Sequence, residues 1–510
     1  MPAKIFSAAI NGLWARPVEV EVDLSPGLHS FNIVGLPDKA VEESKERVSA
    51  AIKNSGATPP GRKNKRLTVN LAPADLKKQG PAYDLPIALG YLLASGQTNF
   101  DANGKIFVGE LALDGSLRPV KGVIAIGLMA KENGFKTVIV PKINTAEAAL
   151  IPDLEVIGAE NLSQLLLHLE GKILIKSEDP AMDSKNQETE AIYPIDMAHI
   201  QGQEHAKRAL EIAAAGGHNV LMSGPPGSGK TLLGRAFTSI LPLMNHEEAL
   251  EVSQIYSVAG LLAADQPLIR LRPFRAPHHT ASAASLIGGG TSAKPGEITL
   301  AHRGVLFLDE FPEFPRQVLE ALRQPLEEGK ITVSRIQHTA TYPAKFILIG
   351  ALNPCPCGYF SDPEKECKCS PTQLIKYKRR LSGPILDRID LHIEVPRVKY
   401  QKLISEEANE TSETIRQRIE KARKIQGDRL GKYKILTNSE MNLKQIKKYC
   451  QLNQECQDIM RQAVTNLKLS ARAYHRLLKL SRTIADLEGA DEIYPYHLTE
   501  ALQYRPTEEP

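Results

Sequence analysis

An α/β multidomain chain with a phosphate-loop core and a helical C-terminal end is the fold class that the sequence predicts, on three observations. Residues 224–231, Gly-Pro-Pro-Gly-Ser-Gly-Lys-Thr, fit the pattern G-x-x-x-x-G-K-[ST] without a mismatch. Val305, Leu306, Phe307 and Leu308 form an apolar run closed by Asp309 and Glu310, the pattern of a buried strand with two acids at its C-terminal end. The first third alternates β-like runs with amphipathic helices, whereas from Val398 onward the periodicity is helical.

The phosphate loop sits where its chemistry needs it. Residues 219–223 predict a short buried strand before it, and residues 232–237 the start of a helix after it. Gly224, Gly227 and Gly229 let the backbone wrap closely round a phosphate chain, with Pro225, Pro226 and Ser228 completing the cradle. Lys230 can reach the β- and γ-phosphates, and Thr231 can ligate Mg²⁺ at a helix start whose dipole favours anions. Asp309 is placed to hold the same ion, directly or through water. Glu310 is placed to polarise the attacking water as general base. ATP and Mg²⁺ are the cofactors expected, and hydrolysis the reaction.

At 510 residues the chain is long enough for about three domains. A net charge of +4 permits a nucleic-acid partner through local patches without requiring one. No apolar run approaches the ~18 residues of a membrane span. The first residues, Met-Pro-Ala-Lys-Ile-Phe-Ser, lack the apolar core of a secretion signal, and the cysteines are clustered rather than spread as a disulfide framework. A soluble cytoplasmic protein is expected.

In the first third, strands are predicted at 18–22, 30–35, 67–71, 105–108 and 137–140, with helices at 39–54, 84–94 and 124–133. Basic runs at Arg62–Arg66 and at Lys77 and Lys78 fit either solvated loops or nucleic-acid contacts. The segments 80–86 (Gly-Pro-Ala-Tyr-Asp-Leu-Pro), 109–115 (Gly-Glu-Leu-Ala-Leu-Asp-Gly) and 134–142 resemble the proteolytic domain of Lon-type proteases, whose fold is like ribosomal protein S5 domain 2. The resemblance implies a serine nucleophile after Gly-Pro and a lysine base in the helix following the Gly-Glu strand. Here Ala82 and Ile124 stand at those places, and neither side chain can do that chemistry. A Lon-like scaffold without a protease site is therefore expected at 1–172, followed by a polar, acidic linker at 173–194.

Beyond the linker, Ile200-Gln201-Gly202-Gln203 resembles the segment with which AAA+ ATPases contact adenine. A strand at 346–352 ends in Asn353, which by the same resemblance is sensor 1, orienting water near the γ-phosphate. Residues 382–391, Ser-Gly-Pro-Ile-Leu-Asp-Arg-Ile-Asp-Leu, resemble a signature of magnesium chelatase ATPase subunits and related helicases. The resemblance makes Arg388 a finger aimed at a neighbouring subunit's nucleotide, and so implies a ring, most simply a hexamer. Residues 272–280 and 295–304 resemble magnesium-chelatase-type AAA+ proteins. Together with the Lon-like N-terminus they resemble the YifB/ComM family along essentially the whole chain. His278 and His279 fit a loop or insert role better than metal ligation, because adjacent histidines project differently. Two alternating runs, 328–335 and 337–342, predict a hairpin that resembles the pore hairpin of ring helicases. In it Lys330, Arg335 and His338 either track phosphates or merely stabilise the turn.

Cys355, Cys357, Cys367 and Cys369 form two C-x-C pairs that either present four thiolates to Zn²⁺ or remain free. The basic run Lys376–Arg380 follows, a second candidate nucleic-acid contact. Helices are expected at 411–426, 454–468 and 471–487. Residues 470–476 resemble the AAA+ sensor 2 helix, which implies that Arg472 touches the γ-phosphate, with Arg476 one turn later as a substitute. The division expected is thus 195–396 for the AAA+ core and 397–510 for a helical lid. The function implied by resemblance is an ATP-driven ring motor acting on single-stranded or branched DNA, a helicase promoting branch migration in natural transformation. The alternative is a chelatase-like ATPase remodelling a protein or metal-insertion complex, against which the Lon-like N-terminus, not expected on a chelatase subunit, is counted.

Overall fold

The computed structural model describes residues 2–62, 64–178, 193–289, 294–334, 339–360, 362, 364–398 and 409–505. It divides into two compact units, one made of residues 1–189 with 246–269, the other of 190–245 with 270–510. Most of the segment expected to be a linker lies outside the described residues.

In the first unit, alternation builds the sheet. Val18, Val20 and Val22 of β2 (Trp14–Pro26) are fully buried, while Glu19 and Glu21 face Lys4 of β1 (Ala3–Asn11). With β3 (Ser30–Val34) and β4 (Lys65–Ala72) they form the order β1-β2-β4-β3, in which only β3 and β4 run parallel. The helix expected at 39–54 is broken at Glu43. A short turn, Lys39–Glu42, precedes α1 (Ser44–Asn54), and the break adjoins Ser44, whose hydroxyl donates to buried Asp84. Asp84 opens α2 (Asp84–Ala94) and also accepts from Arg47 Nε at 2.7 Å. That helix lies so close to β2 that a Cβ on Gly90 would meet Val22 Cγ2 at 2.6 Å. A second, parallel sheet has the order β5-β6-β7, from β5 (Lys105–Phe107), β6 (Thr137–Pro141) and β7 (Glu155–Ala159). Ile124, in α3 (Val123–Glu132), is fully buried in an apolar cluster against which Ala82 also packs.

Residues 246–269 come from the middle of the expected ATPase core yet complete this first unit. Within them the helix His246–Ala259 places Gln254 Nε2 2.7 Å from Leu13 O and Ser257 Oγ against buried Glu147. Leu250, Leu262 and Leu268 pack on the same apolar cluster as Ile124.

The second unit opens with α4 (Glu204–Gly216), β8 (Val220–Ser223) and α5 (Lys230–Ile240). β9 (Phe274–Arg275) and β10 (Val305–Leu308) follow, then α6 (Arg323–Glu328), the hairpin β11 (Lys330–Ser334) and β12 (Thr339–Pro343), and β13 (Ile347–Leu352). After α7 (Pro371–Lys378) and β14 (Leu391–Glu394), the chain is helical: α8 (Ser412–Leu430), α9 (Gln454–Asn466), α10 (Ala471–Leu487) and α11 (Pro495–Gln503). The central sheet, β9-β10-β13-β8-β14, is parallel throughout, so its carboxyl ends gather along one edge. One apolar core runs from Met197 through the sheet to Tyr504, so the C-terminal helices share the core of the sheet.

In the hairpin, Lys330 pairs with Pro343 at the base, 4.0 Å from Glu328. Arg335 and His338 lie outside the described residues. Among the described residues, no helix is long and apolar enough to cross a membrane.

Candidate active site at the carboxyl ends of the central strands

The phosphate loop follows β8, the acidic pair follows β10, and Asn353 follows β13. Register sets these three ends level, with Ser223 opposite Leu352 and Leu308 opposite Gly350. Together they line a cavity of about 750 Å³ that includes residues 226–232, Asp309, Glu310, Asn353, His278 and His279.

The loop's shape has local causes. Gly224 is hemmed in, because a Cβ there would lie 2.1 Å from Val395 O, just past β14. Gly229 opens α5 with the left-handed φ of +94°, and since nothing lies within 4 Å of an added Cβ, it is this backbone conformation rather than crowding that favours glycine there. Gln203 braces the loop from outside, its Nε2 donating to Ser228 O at 3.2 Å and to Pro396 O at 2.6 Å.

Lys230 is almost fully buried, and its ammonium donates to Gly224 O at 2.7 Å, Pro225 O at 2.9 Å and Asn353 Oδ1 at 3.3 Å. Burial holds its pKa below the usual lysine value, against the opposing pull of Asp309. A phosphate in the cavity would give this buried cation an anionic partner. Ser228 Oγ is buried without a hydrogen-bond partner among the described residues, a second donor fitted to a phosphate oxygen. Thr231 Oγ1 and Asp309 Oδ2 lie 2.7 Å apart, two hard oxygen donors side by side, as a Mg²⁺ site requires.

Asp309 Oδ1 accepts from the backbone N–H of Glu310 at 2.9 Å, which turns the acidic pair in different directions. Glu310 takes a left-handed φ of +51° and carries its carboxylate to His279, whose Nδ1 lies 2.9 Å from Oε2. His279 falls in a loop, as expected; its contact with Glu310 carries no sequence signal because β9 and β10 are thirty residues apart in sequence and adjacent only in the sheet.

Arg388 and Arg472 do not line this cavity. Both guanidinium groups reach Glu327 Oε1 in α6, Arg472 at 3.4 Å and Arg388 in a closer bond, with Arg388 also donating to Pro384 O. Arg472, expected at the γ-phosphate of its own chain, thus stands beside Arg388, because α10 packs on α8 and α4 rather than over the phosphate loop. Arg476, its expected substitute, donates to Ile389 O. Glu327 carried no sequence signal.

The four cysteines converge. All four sulfurs lie within 4.8 Å of one another, with Cys355 3.3 Å from Cys357 and 3.7 Å from Cys367. Desolvation opposes ionisation of Cys357, but N–H groups of Tyr359 and Lys368 outweigh it and hold that thiol down to about 6. Burial pushes Cys355 up to about 12.

With this geometry in view, comparison with known proteins is informative. Three family models match: magnesium chelatase, subunit ChlI, over residues 196–403; subunit ChlI of Mg-chelatase over 20–144; and the ChlI C-terminal region over 409–505. The competence protein ComM of Haemophilus influenzae is 45% identical over 512 residues, spanning 99% of this chain and 97% of that protein. The chain belongs to the ComM/YifB family. YifB of Escherichia coli is 43% identical over 504 residues, 98% of this chain and 96% of its own. The magnesium-chelatase 38 kDa subunit of Cereibacter sphaeroides is 27% identical over 178 residues, 32% of this chain and 53% of that subunit. As a ComM/YifB protein the chain is an ATP-hydrolysing enzyme of the magnesium-chelatase-like AAA+ class, with mixed α/β domains and a helical C-terminal region. One expectation needs correcting. The N-terminal region was held foreign to a chelatase subunit, yet residues 20–144 match a family model described as one.

Proposed function

We propose that this chain is a DNA motor of the ComM type, a ring-forming helicase that promotes branch migration and draws its work from ATP hydrolysis. The observation that supports it best is the cavity in which Lys230, Thr231, Asp309, Glu310 and Asn353 meet, on a chain similar to ComM from end to end. ATP is the substrate. Loop amides, Lys230 and Ser228 bind its phosphates, and Thr231 with Asp309 would hold Mg²⁺, which supplies charge neutralisation when bound. Glu310 takes the proton of the attacking water, and Asn353, tied to Lys230, orients that water. Arg388 completes a neighbour's site, with Arg472 beside it. Cys355, Cys357, Cys367 and Cys369 are read as a Zn²⁺ site. Residues 1–172, joined by 246–269, form a Lon-like scaffold whose dyad positions, Ala82 and Ile124, are apolar and packed in one cluster. Residues 195–396, less the insert, serve as the AAA+ core and 397–510 as its lid.

A chelatase-like remodelling ATPase is the second reading, favoured by the family models but weakened by the limited span shared with chelatase subunits. ATP turnover measured with and without branched DNA, together with strand displacement, separates the two. Turnover raised by branched DNA and displacement lost in Glu310→Gln are expected. Turnover indifferent to DNA, with no displacement by the assembled protein, would overturn the motor reading.

A further inference from the structure

The cysteine knuckle is attached to the nucleotide site at both ends of its first turn. Asn353 lines the ATP cavity at the end of β13, and only Pro354 separates it from Cys355. Three residues on, Gly358 has a left-handed φ of +86°, and a Cβ there would fall 2.5 Å from Pro226 Cδ and 2.7 Å from Cγ. The turn of the knuckle therefore rests directly on the second proline of the phosphate loop. A separate cavity of about 350 Å³, bordered by Glu310, Asn353, Cys355 and Tyr377, runs along the same junction.

Apart from the Gly358 turn on Pro226, what anchors the described residues of this segment is polar, chiefly Arg397, whose guanidinium lies 2.9 Å from Asp362 and over the Tyr359 ring. Between Cys355 and Ser370 no helix or strand forms among the described residues, and only Cys355 and Gly358 are buried there. So short a segment without a core needs a cross-link to keep one shape. The sulfurs supply one. Their separations of 3.3, 3.7 and 3.6 Å approach the about 3.8 Å edge of a tetrahedron with metal–sulfur bonds of ~2.3 Å.

We propose that one thiolate-bound divalent ion of the Zn²⁺ class, held by Cys355, Cys357, Cys367 and Cys369, is a structural part of the ATP site, fixing Asn353 through Cys355 and bracing Pro226 through Gly358. This rests on the Zn²⁺ reading of the cluster given above and adds its purpose. The ion touches no reacting atom; it positions residues that do. Removing it frees the turn at Gly358 and lets Asn353 and the phosphate loop drift apart, so nucleotide binding and turnover fall together.

The test uses the full chain. Elemental analysis counts metal per chain, and a fluorescent ATP analogue reports binding before the metal is stripped with a thiol-reactive mercurial, after the mercurial is removed from the cysteines with excess dithiothreitol under a chelator, and again after Zn²⁺ is added back. About one Zn²⁺ per chain is expected, with binding and kcat both reduced at least about tenfold on stripping and recovered on add-back. Gly358→Ala, which crowds Pro226 but spares the thiolates, should keep its metal and still bind nucleotide more weakly. A chain isolated without metal that takes up none overturns the Zn²⁺ reading. A chain that holds its metal but binds and hydrolyses ATP unchanged after stripping overturns the coupling alone. Because stripping and restoration act on one protein sample, the outcome does not depend on a cysteine variant folding.

Discussion

Nδ1 of His279, four residues past the end of β9, lies 2.9 Å from the carboxylate oxygen Oε2 of Glu310, past the end of β10. An imidazole this close occupies one side of the carboxylate and restrains its approach to a water on which it would act. His279→Ala is expected to raise basal ATP turnover by about 3- to 10-fold without changing nucleotide affinity. His279→Asn, whose amide overlies the position of the imidazole Nδ1, should stay near the parent. Steady-state turnover and analogue binding decide it. A lower kcat in the alanine variant would mean that the imidazole aligns the base instead of restraining it.

Arg388 and Arg472 converge on Glu327, outside the cavity that holds Lys230. If the arginine pair serves a neighbour, Arg388→Ala should bind ATP normally and lose about 10³-fold in turnover. Lys230→Ala should lose binding. Mixing the two inactive proteins should then restore part of the activity, since an intact loop meets an intact arginine at some interfaces. Mixtures as inactive as their components would rule out action in trans.

Gly224→Ala puts a methyl group 2.1 Å from Val395 O, a backbone atom that cannot swing away. Because Val395 N also donates to Ser223 O at 2.7 Å, relief requires parting β8 from the chain that follows β14. A loss of about 1–3 kcal/mol is expected, together with the disappearance of ATP-induced thermal stabilisation. Melting curves with and without nucleotide measure both.

His392, in β14, is held neutral: burial, aided by the Arg476 charge, lowers its pKa from 6.5 to about 4, and its Nε2 has no hydrogen-bond partner among the described residues. The unfolded chain protonates this ring below pH 6.5 while the folded one resists, so its contribution to stability is whole above pH 6.5. It is lost as pH falls towards 4, at most about 3 kcal/mol. His392→Asn should flatten the fall in melting temperature between pH 6.5 and 4. An unchanged acid limb would place its origin elsewhere.

The parts of the site that are contiguous in sequence were the parts that sequence made legible. The phosphate loop and the strand ending at Asp309 carry their chemistry within a few residues, and the same stretches line one cavity. What escaped depends on chain segments far apart. His279 meets Glu310 only through strand pairing, and Glu327 meets two arginines only through helix packing. Strand Ala3–Asn11 was not anticipated, since its buried residues cluster as Ser7, Ala8 and Ala9 instead of alternating. Helix 246–259 is amphipathic, but no local pattern says which body an apolar face will join.

That helix has a practical consequence. The chain passes between its two units three times, near residues 189, 245 and 269. A single cut before residue 193 therefore does not yield two self-sufficient halves. The N-terminal fragment would be left with Glu147 stripped of Ser257 and an apolar cluster uncovered, while the ATPase fragment would trail Leu250, Leu262 and Leu268 into solvent. The chain does not divide between the two units at a single point, so neither can be borrowed, deleted or shuffled by one cut without carrying a stretch that belongs to the other.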